Sequence, residues 1–207
     1  MRHPDARLLI FAKSPVPGQV KTRLIPALGA QGTAALAERL LERTLTELAG
    51  AALAPLELWC APDCHHPTIT RLCARLDVVC HAQCAGDLGA RLQAAAADAL
   101  CRATRVLLVG ADIPALDAAY CATALDALDS HEAVLGPAED GGYVLLGIKR
   151  AAPDLFRDMP WGDDRVGAIT QARIEALGWR CAILPTLWDL DRPEDLARLG
   201  ERLSPGA

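Results

Sequence analysis

Short apolar runs alternate with longer helical segments along most of the chain, which predicts an α/β fold built on a mainly parallel sheet with helices on both faces. Two observations carry that prediction. The run Val106-Leu107-Leu108-Val109 is continuously apolar and β-branched at both ends, as a strand covered on both faces requires. Between residues 33 and 48, Leu36, Leu40, Leu41, Leu45 and Leu48 recur at the spacing of one helix face.

In chain order, Leu8-Leu9-Ile10-Phe11 reads as the first buried strand and residues 33–48 as the first helix. Residues 56–60 and 77–80 read as two further strands, each ending in Cys and a turn. Residues 88–101 are Ala-rich and helical, strand 106–109 follows, and Asp112-Ile113-Pro114 breaks it before a helix over 115–128. Residues 134–135 and 143–146 are strand candidates around the turn Glu139-Asp140-Gly141-Gly142. A helix over 166–177, a strand over 182–184 and a closing helix over 193–203 with Pro193 in its first turn complete the order.

With 207 residues, the chain suits one domain spanning 1–207. Hydrophobic residues make up 52% and charged residues 23%, which supports a sizeable core and excludes global disorder. A formal charge of −5 argues against nucleic acid as a partner, because that needs a net basic face. No run reaches the roughly 20 apolar residues of a membrane span. Residues 1–7 lead straight into a strand and do not read as a signal peptide, so the expected location is cytoplasmic and the eight cysteines are expected to be reduced.

Ligands of an open parallel sheet bind beyond the carboxyl ends of its strands, so the segments after each strand are the informative ones. The first is followed by Lys13-Ser14-Pro15-Val16-Pro17-Gly18-Gln19-Val20-Lys21-Thr22-Arg23, with three cations and a Gly that permits close backbone approach. On an acidic protein this loop reads as a polyphosphate cradle, and it is neither a Walker loop nor a GxGxxG fingerprint. The alternative is a solvated basic loop. Asp112, just past a strand, suits a Mg2+ ligand, against the alternative of a helix N-cap. Asp189 and Asp191, two apart on an extended segment, point to one side of it and offer a second ligand, with capping again the alternative. The turn Glu139-Asp140-Gly141-Gly142 places an acid beside bare backbone, or is simply a hairpin turn.

The segment from Phe11 through Arg23 to Leu24 resembles the opening motif of a bacterial family of the GT-A (nucleotide-diphospho-sugar transferase) superfamily, described as glycosyltransferase-like and radical-SAM/selenodomain-associated. It is also similar to the guanylyltransferases of deazaflavin-cofactor synthesis. The resemblance continues through Gln83-Cys84-Ala85-Gly86-Asp87-Leu88-Gly89-Ala90-Arg91, Gly110-Ala111-Asp112-Ile113-Pro114, and residues 135–147 and 189–196, covering nearly the whole chain in order. It implies a Rossmann-like GT-A domain that binds a nucleotide or nucleotide-sugar. Lys13, Gly18, Lys21 and Arg23 would meet phosphates, with Gln83 and Asp87 near the nucleotide or its sugar. Asp112, with Asp191 or Asp189, would hold Mg2+ or Mn2+. One departure stands out: where that family is expected to show Trp-Ser-Thr, this chain has Trp161-Gly162-Asp163, which places a different acceptor in view.

The expected reaction is Mg-dependent glycosyl transfer to an acceptor, with Lys21 and Arg23 on the leaving group and Asp140, or second Glu139, as base. The alternatives are nucleotidyl transfer with release of pyrophosphate, and a non-catalytic nucleotide sensor. A separate reading concerns Cys60, Cys64, Cys80 and Cys84, whose spacing is compatible with zinc if the two strands are neighbours, against the ordinary role of Cys as a small buried residue.

Overall fold

A computed structural model describes residues 1–199 of the chain. Seven strands form one sheet in the order β3-β2-β1-β4-β6-β5-β7. They are β1 (Ala6–Lys13), β2 (Leu56–Ala61), β3 (Val79–Ala82), β4 (Arg105–Gly110), β5 (Ala133–Pro137), β6 (Tyr143–Ile148) and β7 (Cys181–Ile183). β1 pairs in parallel with β2 and β4, β2 with β3, and β5 with β7. Only β6 runs antiparallel, against both β4 and β5. The mainly parallel sheet predicted from the alternation is therefore the observed one.

Five helices cover it: α1 (Ile25–Ala51), α2 (Pro67–Leu76), α3 (Leu88–Leu100), α4 (Ala118–Ala127) and α5 (Val166–Ala176). Side chains of a strand alternate between its faces. Leu8, Ile10, Leu107 and Val109 pack with Leu41 and Leu45 of α1 on one face, joined by α2 and α4. Leu9, Val106 and Leu108 pack with Leu92 and Ala96 of α3 on the other, joined by Ile174 of α5 and by Phe156. A third cluster, Leu24, Leu36, Leu40 and Leu190, fastens the segment after β7 to the start of α1. That cluster positions the site, because it carries Asp189 and Asp191 on either side of a buried Leu190.

Three expectations change. The segment between β2 and β3 contains α2, whose buried Ile69 and Leu72 were open to reading from their spacing. The closing element is a 3-10 helix over Pro193–Arg198, and the rest of the helix expected to reach 203 lies outside the described residues. The cysteines do not form a zinc set: Cys64 and Cys80 are joined by a disulfide, Cys60 is buried with its Sγ 3.5 Å from Ser14 Oγ, and Cys84 is exposed. The expectation of eight reduced thiols fails with it. β2 and β3 are neighbours as that reading supposed, and their proximity serves a covalent link instead.

Candidate functional site

The chain crosses from β3 back over β1 to β4, so the sheet order reverses between β1 and β4. Such a switch point opens a crevice beyond the carboxyl ends of the strands. A cavity of about 570 Å³ lies there, walled by the loop after β1, the segment after β3, the start of α3 and the segment after β4. Its cations are Lys13, Lys21, Arg23 and Arg91, and its acids are Asp87, Asp112 and Asp191. The basic loop and the acids beyond the strands, read separately from the sequence, thus face one space.

Lys21 Nζ donates to Asp112 Oδ2 at 3.0 Å and to the backbone oxygen of Leu190. The Lys21 side chain is 5% exposed, while that of Asp112 is 49% exposed. Arg23 pairs with Asp191. Two of the four cations are therefore matched by carboxylates of the same wall. Lys13 and Arg91 have no carboxylate partner among the described residues, although Arg91 Nε donates to the Gly86 backbone oxygen at 3.0 Å. These are the two charges that an anion in the cavity finds unneutralised. The sequence assigns Arg91 no role; its place in the first turn of α3, which begins at the cavity, is the signal that marks it.

The acids differ in whether they cap a helix. α4 is capped by Asp117, whose side chain accepts from Tyr120 N, so Asp112 caps nothing. The 3-10 helix after Asp191 is closed by Asp195, which accepts from the backbone N–H groups of Asp191 and Arg192. Asp87 does cap α3, accepting from Ala90 N at 2.8 Å, while also lining the cavity. Gln83 lines the cavity with its amide nitrogen donating to the backbone oxygens of Ala12 and Trp59. Gly18 sits at a turn of the loop with φ 81, outside the cavity wall. Ser14 is buried beneath the loop.

A second chamber of about 220 Å³ adjoins the first and shares Phe11, Leu88, Gly110 and Asp112 with it. Asp140 and Asp189 line this chamber, with Tyr143, Trp161 and Asp163. Asp189 and Asp191, expected on one side of their segment, do line one cavity together, while Asp191 also faces the first cavity and Asp189 the second. The cavity they share is a third one, of about 370 Å³, lined also by Arg23, Glu139 and Arg198. Burial, followed by the nearby charges of Asp140 and Asp112, pushes the Asp189 carboxyl up to about 6. Asp140 Oδ1 accepts from Gly142 N at 2.8 Å, and Glu139 is paired with Arg198, whose guanidinium holds its carboxyl below the usual range.

The turn that carries Asp140 is held tightly. Gly141 has φ 87, and a Cβ there would lie 1.9 Å from the Asp164 backbone oxygen, so the turn tolerates only glycine at this point. Gly167 N donates to the Gly141 oxygen at 2.8 Å, closing the 139–142 turn onto the segment that bears Trp161 and Asp163.

No curated protein matches the chain in sequence. Among solved structures, a candidate nucleotide-diphospho-sugar transferase from Desulfovibrio desulfuricans G20 is 31% identical, covers 99% of this chain and 90% of its own, and superposes with a TM-score of 0.88. The 4-diphosphocytidyl-2C-methyl-D-erythritol synthase of Anaerococcus prevotii shares the fold at 11% identity over 98% of this chain and 99% of its own, with a TM-score of 0.64. So does Rv0371c of Mycobacterium tuberculosis H37Rv, in a complex with manganese, at 19% identity over 96% and 99%, with a TM-score of 0.53. The fold is accordingly GT-A-like. Residues 44–163 match the model of a family described as "Uncharacterized protein conserved in bacteria" (DUF2064), and the chain belongs to that family.

Proposed function

We propose that the chain is a nucleotide-dependent transferase that uses a nucleotide-diphospho-sugar as donor, a divalent ion as cofactor and residues 1–207 as one catalytic domain. The observation that carries this reading is the roughly 570 Å³ cavity at the β1/β4 switch, where four cations meet Asp112 and Asp191, acids with no capping duty. The 31% identical relative is a nucleotide-diphospho-sugar transferase candidate over nearly the whole length, which supports the same class.

The acids fit a divalent ion by their chemistry. Asp112, Asp189 and Asp191 line the adjoining cavities beyond the strand ends. Among the described residues no group of three His, Cys, Asp or Glu side chains is arranged to hold a metal alone. Mg2+ asks for less, since one or two carboxylates suffice when water and phosphate complete its shell. Asp112 and Asp191 would hold it, with Asp189 beside them. When bound, the ion neutralises charge on the diphosphate.

The chain's own residues then divide the work. Lys13 and Arg91 receive the phosphates, and Lys21 and Arg23 turn from their carboxylates to the leaving group. An acceptor hydroxyl oxygen bonds to the anomeric carbon as the bond from that carbon to the phosphate oxygen breaks. Asp140 takes the hydroxyl proton, and the nucleoside diphosphate leaves with the bonding pair. Preorganised cations of this kind typically supply the largest share of the acceleration.

The test is a melting-temperature screen of sugar nucleotides and nucleoside triphosphates with and without Mg2+. GTP belongs in the panel as a donor for the nucleotidyl-transfer alternative. A nucleotide at about 100 times its Kd stabilises by about 2.7 kcal/mol, a rise of roughly 5–10 °C for a chain of this size. Asp112→Asn is expected to remove the Mg2+-dependent part of that rise and weaken binding about tenfold or more. Turnover that releases pyrophosphate from a triphosphate alone would establish nucleotidyl transfer instead. Binding without turnover for any acceptor would establish a sensor. No response to any nucleotide would end the reading.

A further inference from the structure

We infer that the second chamber binds the acceptor, and that this acceptor is an uncharged or cationic molecule with a ring-sized apolar body rather than a phosphorylated or carboxylated one. Calling the occupant an acceptor rests on the transferase reading; the kind of molecule the chamber admits does not.

Three features of the chamber lead there. Its size comes first: at about 220 Å³ it exceeds the roughly 150 Å³ of an engineered cavity that takes benzene, and it falls short of the range for drug-sized ligands. One ring with a short polar arm fills it. Its wall comes second. Phe11, Leu92, Ile113, Val144 and Val166 give an apolar lining, while the rings of Tyr143 and Trp161 stand edge to face with centroids 6.4 Å apart. The Tyr143 hydroxyl in this wall is buried without a hydrogen-bond partner. That hydroxyl is closed off from the chamber, so an occupant meets the ring of Tyr143 and not its oxygen.

Charge comes third and decides the class. The chamber is lined by Asp112, Asp140, Asp163 and Asp189 and by no Lys, Arg or His. Lys21 and Arg165 pair with Asp112 and Asp163, but Asp140 and Asp189 have no ion-pair partner among the described residues. Of Asp112 and Asp191, which would hold a divalent ion, only Asp112 lines the chamber, and the interior lacks a cationic side chain. An anionic head would therefore enter against uncompensated like charge. A hydroxyl or ammonium head meets acceptors instead. The Trp161-Gly162-Asp163 segment, where the resembled family is expected to carry two hydroxyls, lies in this wall. The charge that turns the wall against anions is that of Asp140 and Asp189, since Asp163 is held by Arg165.

Four probes of one shape test the inference without nucleotide: 2-phenylethanol, 2-phenylethylamine, phenylacetate and phenyl phosphate. Their binding to the full chain is followed by ligand-observed NMR and by melting temperature. The alcohol and the amine are expected to bind at least tenfold more tightly than either anion. Val166→Phe, which fills the chamber from the first turn of α5, is expected to abolish their binding and to leave the nucleotide-induced rise in melting temperature intact, since Val166 does not line the first cavity. Asp140→Asn, at an exposed turn, keeps an oxygen for Gly142 N and is expected to narrow the amine-to-phosphate ratio several-fold, which gives a reading even if the Phe variant fails to fold. Equal or tighter binding of the anions, or ring binding that Val166→Phe does not touch, overturns the inference. Ring binding with no nucleotide response would instead leave the chamber standing and remove the transferase reading.

Discussion

Lys21 combines an unusual backbone with an unusual side-chain environment. It is left-handed, with φ 46 and ψ 46, and its ammonium is almost fully covered while reaching Asp112 and the Leu190 oxygen. A left-handed backbone at a non-glycine residue costs about 1–3 kcal/mol and persists where surroundings over-determine it. Three segments meet at this one Nζ: the loop after β1, the segment after β4 and the segment after β7. Replacing Lys21 should therefore separate charge from strain. Lys21→Met keeps the strain and loses the charge, whereas Lys21→Gly loses both. Both variants are expected to drop turnover about 10²–10³-fold, the loss seen when one preorganised donor is removed. The glycine variant should melt at the higher temperature of the two, because its backbone is relaxed. Equal turnover in either variant and the wild type, measured on any sugar nucleotide that binds, would remove Lys21 from the chemistry.

At the scale of elements, the segment from β2 through α2 to β3 shows how far local pattern reaches. Ile69 and Leu72 bury one face of α2 against the sheet, and His66 caps it by accepting from Thr68 N. The pairing of Cys64 with Cys80 ties the loop before α2 to β3, the four-residue edge strand that leads into Gln83. The two cysteines lie 16 positions apart. Closing a loop of about that length removes chain entropy worth about 3 kcal/mol from the unfolded state. Reduction, or Cys64→Ala with Cys80→Ala, is accordingly expected to lower the melting temperature by up to about 10 °C. A calorimetric scan with and without reductant measures this directly, and identical melting points would show that the link adds no stability.

Over the whole molecule, acid stability depends on pairs that no single element contains. Arg180 donates to Glu132 through backbone and side chain and pushes its carboxyl down to about 2. Asp129 is held below the ordinary range by a hydrogen bond from Arg105, and Asp5 by one from Thr104, with Arg105 adding to it. Each group binds its proton more weakly folded than unfolded. Their stabilisation is therefore present above the unfolded carboxylate values and is lost as pH falls through the folded ones, between about 4.5 and 2 for Glu132. Denaturant midpoints should fall over that window, and Glu132→Gln should flatten the fall; a midpoint independent of pH there would contradict the pairing. Deeper in the fold, Glu57 is 4% exposed and accepts from Arg102 at 2.8 Å. Nothing in the spacing of residues near 57 marks that buried charge, because its partner lies 45 positions away.

The sequence by itself determined the class of fold and singled out residues of the proposed site. Periods of two and 3.6 report which face of a local segment is apolar, and a ligand of an open sheet sits past the strand ends, so Lys21, Arg23 and Asp112 could be singled out one by one. Only the tertiary structure decided that they share a cavity, that Asp191 faces the first cavity and Asp189 the second, that Arg91 joins the cations and that Cys64 meets Cys80. Those outcomes follow from the strand order β3-β2-β1-β4 and from the burial of Leu190 against Leu24, Leu36 and Leu40. Both are settled by contacts between residues far apart in the chain, and no local periodicity carries that information.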